Sequence, residues 1–141
     1  MSSLTLTQAN QIITAALARS REAGYQPMAI AVLDEGGALK AFAREDGASM
    51  FRFDIAQGKA YAAVGIGMSS RALAERAKHN PNFFVSLAAT AHGKFLAQTG
   101  AVVIKNAAGQ IIGAVGASGG TGDEDEAICI AGVEAAGLAH G

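Results

Sequence analysis

Apolar residues recur at helical spacing over residues 5–23, where Leu6, Ala9, Ile12, Ile13, Ala16 and Leu17 form one stripe. Thr5 and Gln8 have the spacing of a capping box, and Gly24 suits the position just past a helix end. The pattern then changes. MAIAVLDEGGALKAFARED, residues 28–46, begins with a short apolar, partly β-branched run and passes through DEGG, where glycine supplies positive φ at little steric cost. It returns with Lys40 and Arg44 on one face and Leu39 on the other, which predicts an antiparallel hairpin.

Residues 53–67, FDIAQGKAYAAVGIG, form a run of small residues that predicts a helix packed closely on a sheet or a neighbouring helix. A second, shorter helix is expected over 68–80, capped by Ser69 or Ser70, with Pro81 as its boundary. Residues 82–99 fit either a short helix or a loop covering the sheet edge. AVVIK, NAAG and QIIGAVGAS, from 101 to 118, predict a second hairpin of the same form as the first, and a helix follows over 122–138. Neither a linker nor a composition shift divides the 141 residues, so one domain over 1–141 is expected. Hairpins interleaved with helices predict an α+β fold with an antiparallel sheet covered by helices.

Composition narrows the function classes. Half of the residues are apolar and only 16% are charged, which excludes a disordered chain and predicts surface hidden in a homo-oligomer. With 11 basic and 12 acidic residues there is no field for nucleic acid, and no apolar run is long enough for a membrane span. The N-terminus lacks the pattern of a signal peptide, and Cys129 has no partner for an internal disulfide. Both point to a cytoplasmic protein.

The chemistry-bearing stretch is GASGGTGDEDEAICIAG, 116–132. It lacks the lysine of a phosphate loop and the GxGxxG spacing. Asp123, Glu124, Asp125 and Glu126 complement the positive end of a helix dipole and would repel a phosphate. Thr121 with Glu124 fits a capping box. Residues three or four apart share a helix face, so at most two of the four acids could meet at one cation, and no metal site is assigned. A ligand pocket remains: Ser118, Gly119 and Gly120 would let a small molecule reach the backbone, with Asp125 or Glu126 at its polar end.

Two cations could hold the other end of such a ligand. Arg44 can clamp a carboxylate, and Asp46 beside it is a further contact; the plainer roles are a salt bridge and a turn aspartate. Lys59, among small residues, can bind an anion, pair with an acid, or act as a base if desolvated. Asp125, Glu126 and Lys59 are therefore the catalytic candidates. Cys129 between Ile128 and Ile130 reads as a buried small hydrophobe, and the surroundings of Ser118 are not GxSxG. His79, His92 and His140 are too scattered for a metal cluster.

Four stretches together carry a resemblance: IAVLDEGGALKAFAREDGA at 30–48, GKAYAA at 58–63, GAVVIKNAAGQIIGAVGASGG at 100–120 and DEDEAICIAG at 123–132. In these the chain resembles the GlcG/HbpS family, which is also similar to the C-terminal domain of PduO. The resemblance implies a profilin-like antiparallel sheet of about five strands flanked by helices, and assembly as dimers or larger oligomers. It implies small-molecule binding, with haem or another planar anionic compound as the ligand. An enzyme acting on a small organic acid or aldehyde, and a ligand-free accessory protein, are the alternatives. If haem is the cofactor, His92 and then His79 are the candidate iron ligands. One departure stands out. Many relatives have GGxPI before the last hairpin turn, whereas Gly100, Ala101, Val102, Val103 and Ile104 stand here.

Overall fold

The computed structural model describes residues 3–141. In chain order the elements are α1 (Leu6–Ala23), β1 (Ala29–Asp34), β2 (Leu39–Arg44), α2 (Phe51–Ile66), α3 (Ser70–His79), α4 (Pro81–Thr90), β3 (Ala101–Lys105), β4 (Ile111–Ser118), α5 (Gly122–Ala135) and β5 (Ala139–His140). The strands form one sheet in the order β2-β1-β4-β3-β5. Every neighbouring pair is antiparallel, and the two hairpins join through β1 and β4.

The hairpins share one turn. Asp34 Oδ1 accepts from the N–H groups of Gly36 and Ala38, and Asn106 Oδ1 accepts from those of Ala108 and Gln110. Gly37 (φ 81°) and Gly109 (φ 80°) close the two loops in the left-handed region. The ladder shifts register at Val32/Leu33 in one hairpin and at Ile104/Lys105 in the other. A side-chain carbonyl that copies a backbone turn, followed by a left-handed glycine, is sufficient to set this geometry.

Helices cover both faces. On one, α1 and α5 enclose the main core around Ile12, Ile30, Val32, Ile104, Val115 and Ile128. On the other, α2 lies on β1, β3 and β4 through Ala56, Ala60 and Ala63. A Cβ on Gly116 would strike the carbonyl of Ala56, so β4 and α2 approach as closely as backbone allows. The small residues of α2 have this close packing as their reason. Capping boxes close the starts of α1 (Thr5, Gln8) and α5 (Thr121, Glu124), and Gly24 ends α1 at φ 73°.

Three features differ from the sequence reading or go beyond it. The last helix stops at Ala135, because Gly137 (φ 75°) turns the chain back and the next residues add β5 to β3. Residues 82–99 contain a helix and then a loop. Pro81 is the first residue of that helix, where its missing N–H costs nothing. This helix packs on α3 rather than on the sheet, sharing a small core of Ala62, Leu73 and Phe95 with Phe84 and Leu87. Leu6 is 54% exposed and leaves the stripe, while Leu4 enters the core instead.

The outer edge of β3 is closed by side chains. Ser70 Oγ donates to the carbonyl of Ala101 at 3.1 Å and accepts from its N–H at 2.8 Å. Ser69 Oγ accepts from the N–H of Val103. Two serines thus take the place of a neighbouring strand, and β5 covers the rest.

Candidate functional site

The structure brings Lys59 and Asp125 together. Lys59 starts from α2 on one face of the sheet and Asp125 from α5 on the other. Their side chains meet past the sheet end, with Nζ 3.0 Å from Oδ2. Nζ also donates to the carbonyl of Ala117 at 3.0 Å, and Asp125 Oδ1 accepts from the N–H of Gly120 at 2.9 Å. Both side chains are buried, 7% and 2% exposed. Gly100 makes the room. It sits at φ 131°, and a Cβ there would lie 2.6 Å from Nζ and 3.0 Å from Asp125 Cβ. A buried charge pair needs its remaining donors and acceptors engaged, and neutral backbone partners engage these on both sides.

On the side where a Cβ would point, Gly119 and Gly120 pack against the chain itself. A Cβ on Gly119 would meet the Pro27 carbonyl and the Met28 thioether, and one on Gly120 would meet Glu124 and Met28. Ser118 is buried and its hydroxyl accepts from Arg52 Nη1 at 3.2 Å. Arg44 lies at the exposed end of β2 and donates to the carbonyl of Ala48. Asp46 follows in an exposed turn. Arg44 and Asp46 therefore face a surface hollow beside α1, apart from the Lys59–Asp125 pair.

Glu126 points another way. It and Asp123, three residues apart on one face of α5, both accept from Arg71 of α3. The hydrogen bonds it donates to Glu126 and then to Asp123 hold the Arg71 guanidinium above its ordinary range. The helical spacing of the acids does bring two of them to one cation, and that cation is an arginine. Among the described residues, no three His, Cys, Asp or Glu side chains come together as a metal site. Glu126 and Arg71 border an open cleft of about 630 Å³, with Lys105 and Glu75 on its other walls.

His79 closes α3 and borders an apolar groove of about 500 Å³ between α3 and α4, with Ala72, Arg76, Phe83 and Phe84. Its Nε2 lies 3.4 Å from Glu75 Oε1. The charge of Lys78, followed by hydrogen bonds from Lys78 and His79, lowers the Glu75 pKa. His92 follows α4, exposed, in the left-handed region at φ 57°. His140 lies on β5, with its buried Nδ1 lacking a hydrogen-bond partner. Cys129 is buried, as its flanking isoleucines indicate. Burial, followed by the charge of Asp125, pushes its thiol pKa up, and its Sγ lies 3.6 Å from the carbonyl of Gly100.

Sequence reading missed Gly100, Arg52, Arg71 and the role of the paired serines. Only Gly100 left a trace, as the first glycine of the stretch otherwise altered in this chain. The others depend on contacts between residues 31 to 66 positions apart.

The antiparallel five-stranded sheet with helices on both faces makes this an α+β domain, and comparison identifies its family. The family described as "Haem degrading protein HbpS-like" matches residues 4–134, and the chain belongs to it. A double mutant of HbpS from Streptomyces reticuli is 27% identical, with 95% of this chain and 87% of that one covered and a TM-score of 0.82. The structure described as a PduOC–haem complex is 22% identical, covers 97% of both chains and has a TM-score of 0.85. The Klebsiella pneumoniae protein ORFY is 23% identical, with 97% and 92% covered and a TM-score of 0.87. No curated protein matches the chain. Among the described residues, no helix is long and apolar enough to cross a membrane.

Proposed function

We propose that the protein binds haem, and that the groove between α3 and α4 holds it. The observation that carries this reading is the position of His79, an imidazole at the border of an apolar groove whose walls include Phe83 and Phe84. The residues fit the group. An imidazole is an iron ligand, aromatic walls suit a flat macrocycle, and Arg76 suits a carboxylate at its rim. Phe83 is 53% exposed, an unusual cost for a large apolar ring unless something covers it. When bound, haem would supply an iron centre for His79 to ligate. The chain's own part is to ligate, to orient the ring and to exclude water from one of its faces. The PduOC–haem complex and the family's description as haem degrading support the same ligand.

Binding is favoured over turnover by the state of the acid–base candidates. Asp125 and Lys59 engage each other and backbone groups inside the protein, so we assign them to holding the sheet end rather than to proton transfer. Glu126 is engaged by Arg71. Titrating the purified protein with haem tests the reading. A saturable change in the haem absorption band is expected, with His79→Ala weakening binding at least tenfold and altering the band. His92→Ala leaves both unchanged. No saturable change would favour the ligand-free accessory role, and an unaltered His79→Ala titration would move the site elsewhere.

A further inference from the structure

His79 does not stand alone at the end of α3. Glu75 lies one helical turn earlier, so the two side chains share a face. Glu75 Oε1 lies 3.4 Å from His79 Nε2, and Lys78 Nζ donates to the other oxygen, Oε2, at 3.4 Å. The lysine thus holds one end of the carboxylate while the other end faces the imidazole. Across the groove, α4 reads PNFFVSLAAT and carries no charged side chain. Of the charged groups that border the groove beside His79, Arg76 can only donate, so Glu75 is the one acceptor. A carboxylate beside a neutral imidazole selects its tautomer: the proton sits on the nitrogen facing the oxygen, and the lone pair is left on the other nitrogen. Here that puts the proton on Nε2 and the lone pair on Nδ1.

We propose, resting on the haem reading of the α3–α4 groove, that Glu75 is a positioning residue for iron ligation: it accepts a hydrogen bond from His79 Nε2–H and so presents Nδ1 to the iron. Ligation drains electron density from the ring and makes its N–H a stronger donor, so the 3.4 Å contact shortens when iron is held. The carboxylate on the far side of the ring in turn raises the basicity of the ligating nitrogen. Ferric iron, with the higher charge, gains more from a basic ligand than ferrous iron does, so the reduction potential falls. Water reaches both side chains, Glu75 at 64% and His79 at 78% exposed. The effect on affinity is therefore modest, and it is clearest in the potential and the spectrum of the bound iron.

Methylated histidine analogues, placed at position 79 of the full chain, separate the two nitrogens without changing side-chain size between them. Haem is added to each protein. The absorption band, the midpoint potential and the iron–imidazole stretch of the ferrous form are then measured. A methyl on Nδ1 should abolish ligation, as His79→Ala does. A methyl on Nε2 should leave ligation in place, raise the potential and lower the stretching frequency, because the N–H is gone while the charge of Glu75 stays. Glu75→Gln should shift both readouts in the same direction and weaken haem binding by about tenfold, the low end for a partner of a metal ligand. On the Nε2-methyl background Glu75→Gln should add little, since the two changes remove one interaction. Ligation that survives the Nδ1 methyl overturns the proposal. So does a wild-type potential and stretch in Glu75→Gln, or a shift that persists in full on the Nε2-methyl background, which would come from charge acting at a distance. In all three cases haem can still depend on His79. A wild-type protein without His79-dependent haem binding instead removes the groove reading, and the role of Glu75 with it.

Discussion

Four consecutive acids open α5: Glu124 completes the capping box, and the other three meet two cations in settings of opposite character. Asp125 meets Lys59 in the interior, both below one-tenth exposed. Asp123 and Glu126 meet Arg71 at the surface, where Arg71 is 56% and Asp123 81% exposed. The difference comes from helix geometry: residues 123 and 126 share one face, and residue 125 lies on another. It teaches that charge content does not measure what a charge contributes. The inner pair is deprived of water and held by two backbone groups, so losing either member strands the other. The outer pair keeps its water and is screened by salt.

The sharpest way to break the comparison is to remove one inner partner. Asp125→Ala should cost about 3–5 kcal/mol in urea unfolding, because it leaves Lys59 buried without its counter-charge. Replacing both partners, Lys59→Met with Asp125→Leu, should recover most of that loss. A single-variant loss too small to measure would place the inner pair in the same class as the outer one.

Gly100 comes next. Gly100→Ala puts a Cβ against Lys59 Nζ and a side chain at φ 131°, and should destabilise by about 1–3 kcal/mol. The penalty should shrink when Lys59 is already Met, since the two positions are in contact and their effects do not add.

Cys129 beside the inner pair gives a pH signature. Its folded pKa lies above its ordinary value of 9.0, so its contribution is intact below that value. Above about pH 9 the unfolded chain loses the thiol proton while the folded chain keeps it. Stability should then fall by up to about 1.4 kcal/mol per pH unit from this group. Cys129→Ala should flatten that slope in unfolding curves collected from pH 8 upward, whatever its cost at neutral pH. An equal slope in both proteins would show that the thiol is open to water.

The smallest effect is expected at the surface. Arg71→Ala should barely move the melting temperature, and the remaining difference should vanish in about 0.5 M salt as screening shortens the reach of the charges. A large, salt-independent loss would mean that Arg71 ties α3 to α5 structurally.

Much of the fold was legible because its signals are local. Thr5 with Gln8 and Thr121 with Glu124 cap helices within four residues of chain, and the DEGG and NAAG turns need only their own side chains and glycines. The family resemblance supplied the five-stranded sheet, while the residues themselves announced four strands. Ala139–His140 is too short for a pattern and becomes a strand only because β3 offers an edge. Residues 82–99 stayed open because their apolar residues pack on other helices rather than on a sheet of fixed period.

The candidate site was legible in its residue types and much less in its geometry. Lys59 and Asp125 drew notice as a cation and an acid in unusual surroundings, and pairing with an acid was one of the roles open to Lys59. Sequence spacing cannot say which of four adjacent acids turns inward, since that depends on how α5 is rotated against the sheet. Gly119 and Gly120 read as open to a ligand in a linear chain, but on their Cβ side they pack against Met28, which precedes β1 and lies far away in sequence.

By itself, then, the sequence determined most of the helices, four strands, their caps and turns, and the α+β class, since each follows from contacts within a few residues. Tertiary structure alone decided that Lys59 and Asp125 close on each other around Gly100, that Ser69 and Ser70 seal one edge of the sheet, and that β2 is left open at the other. Those outcomes need groups tens of residues apart to share one small volume, and only the packed chain brings them there.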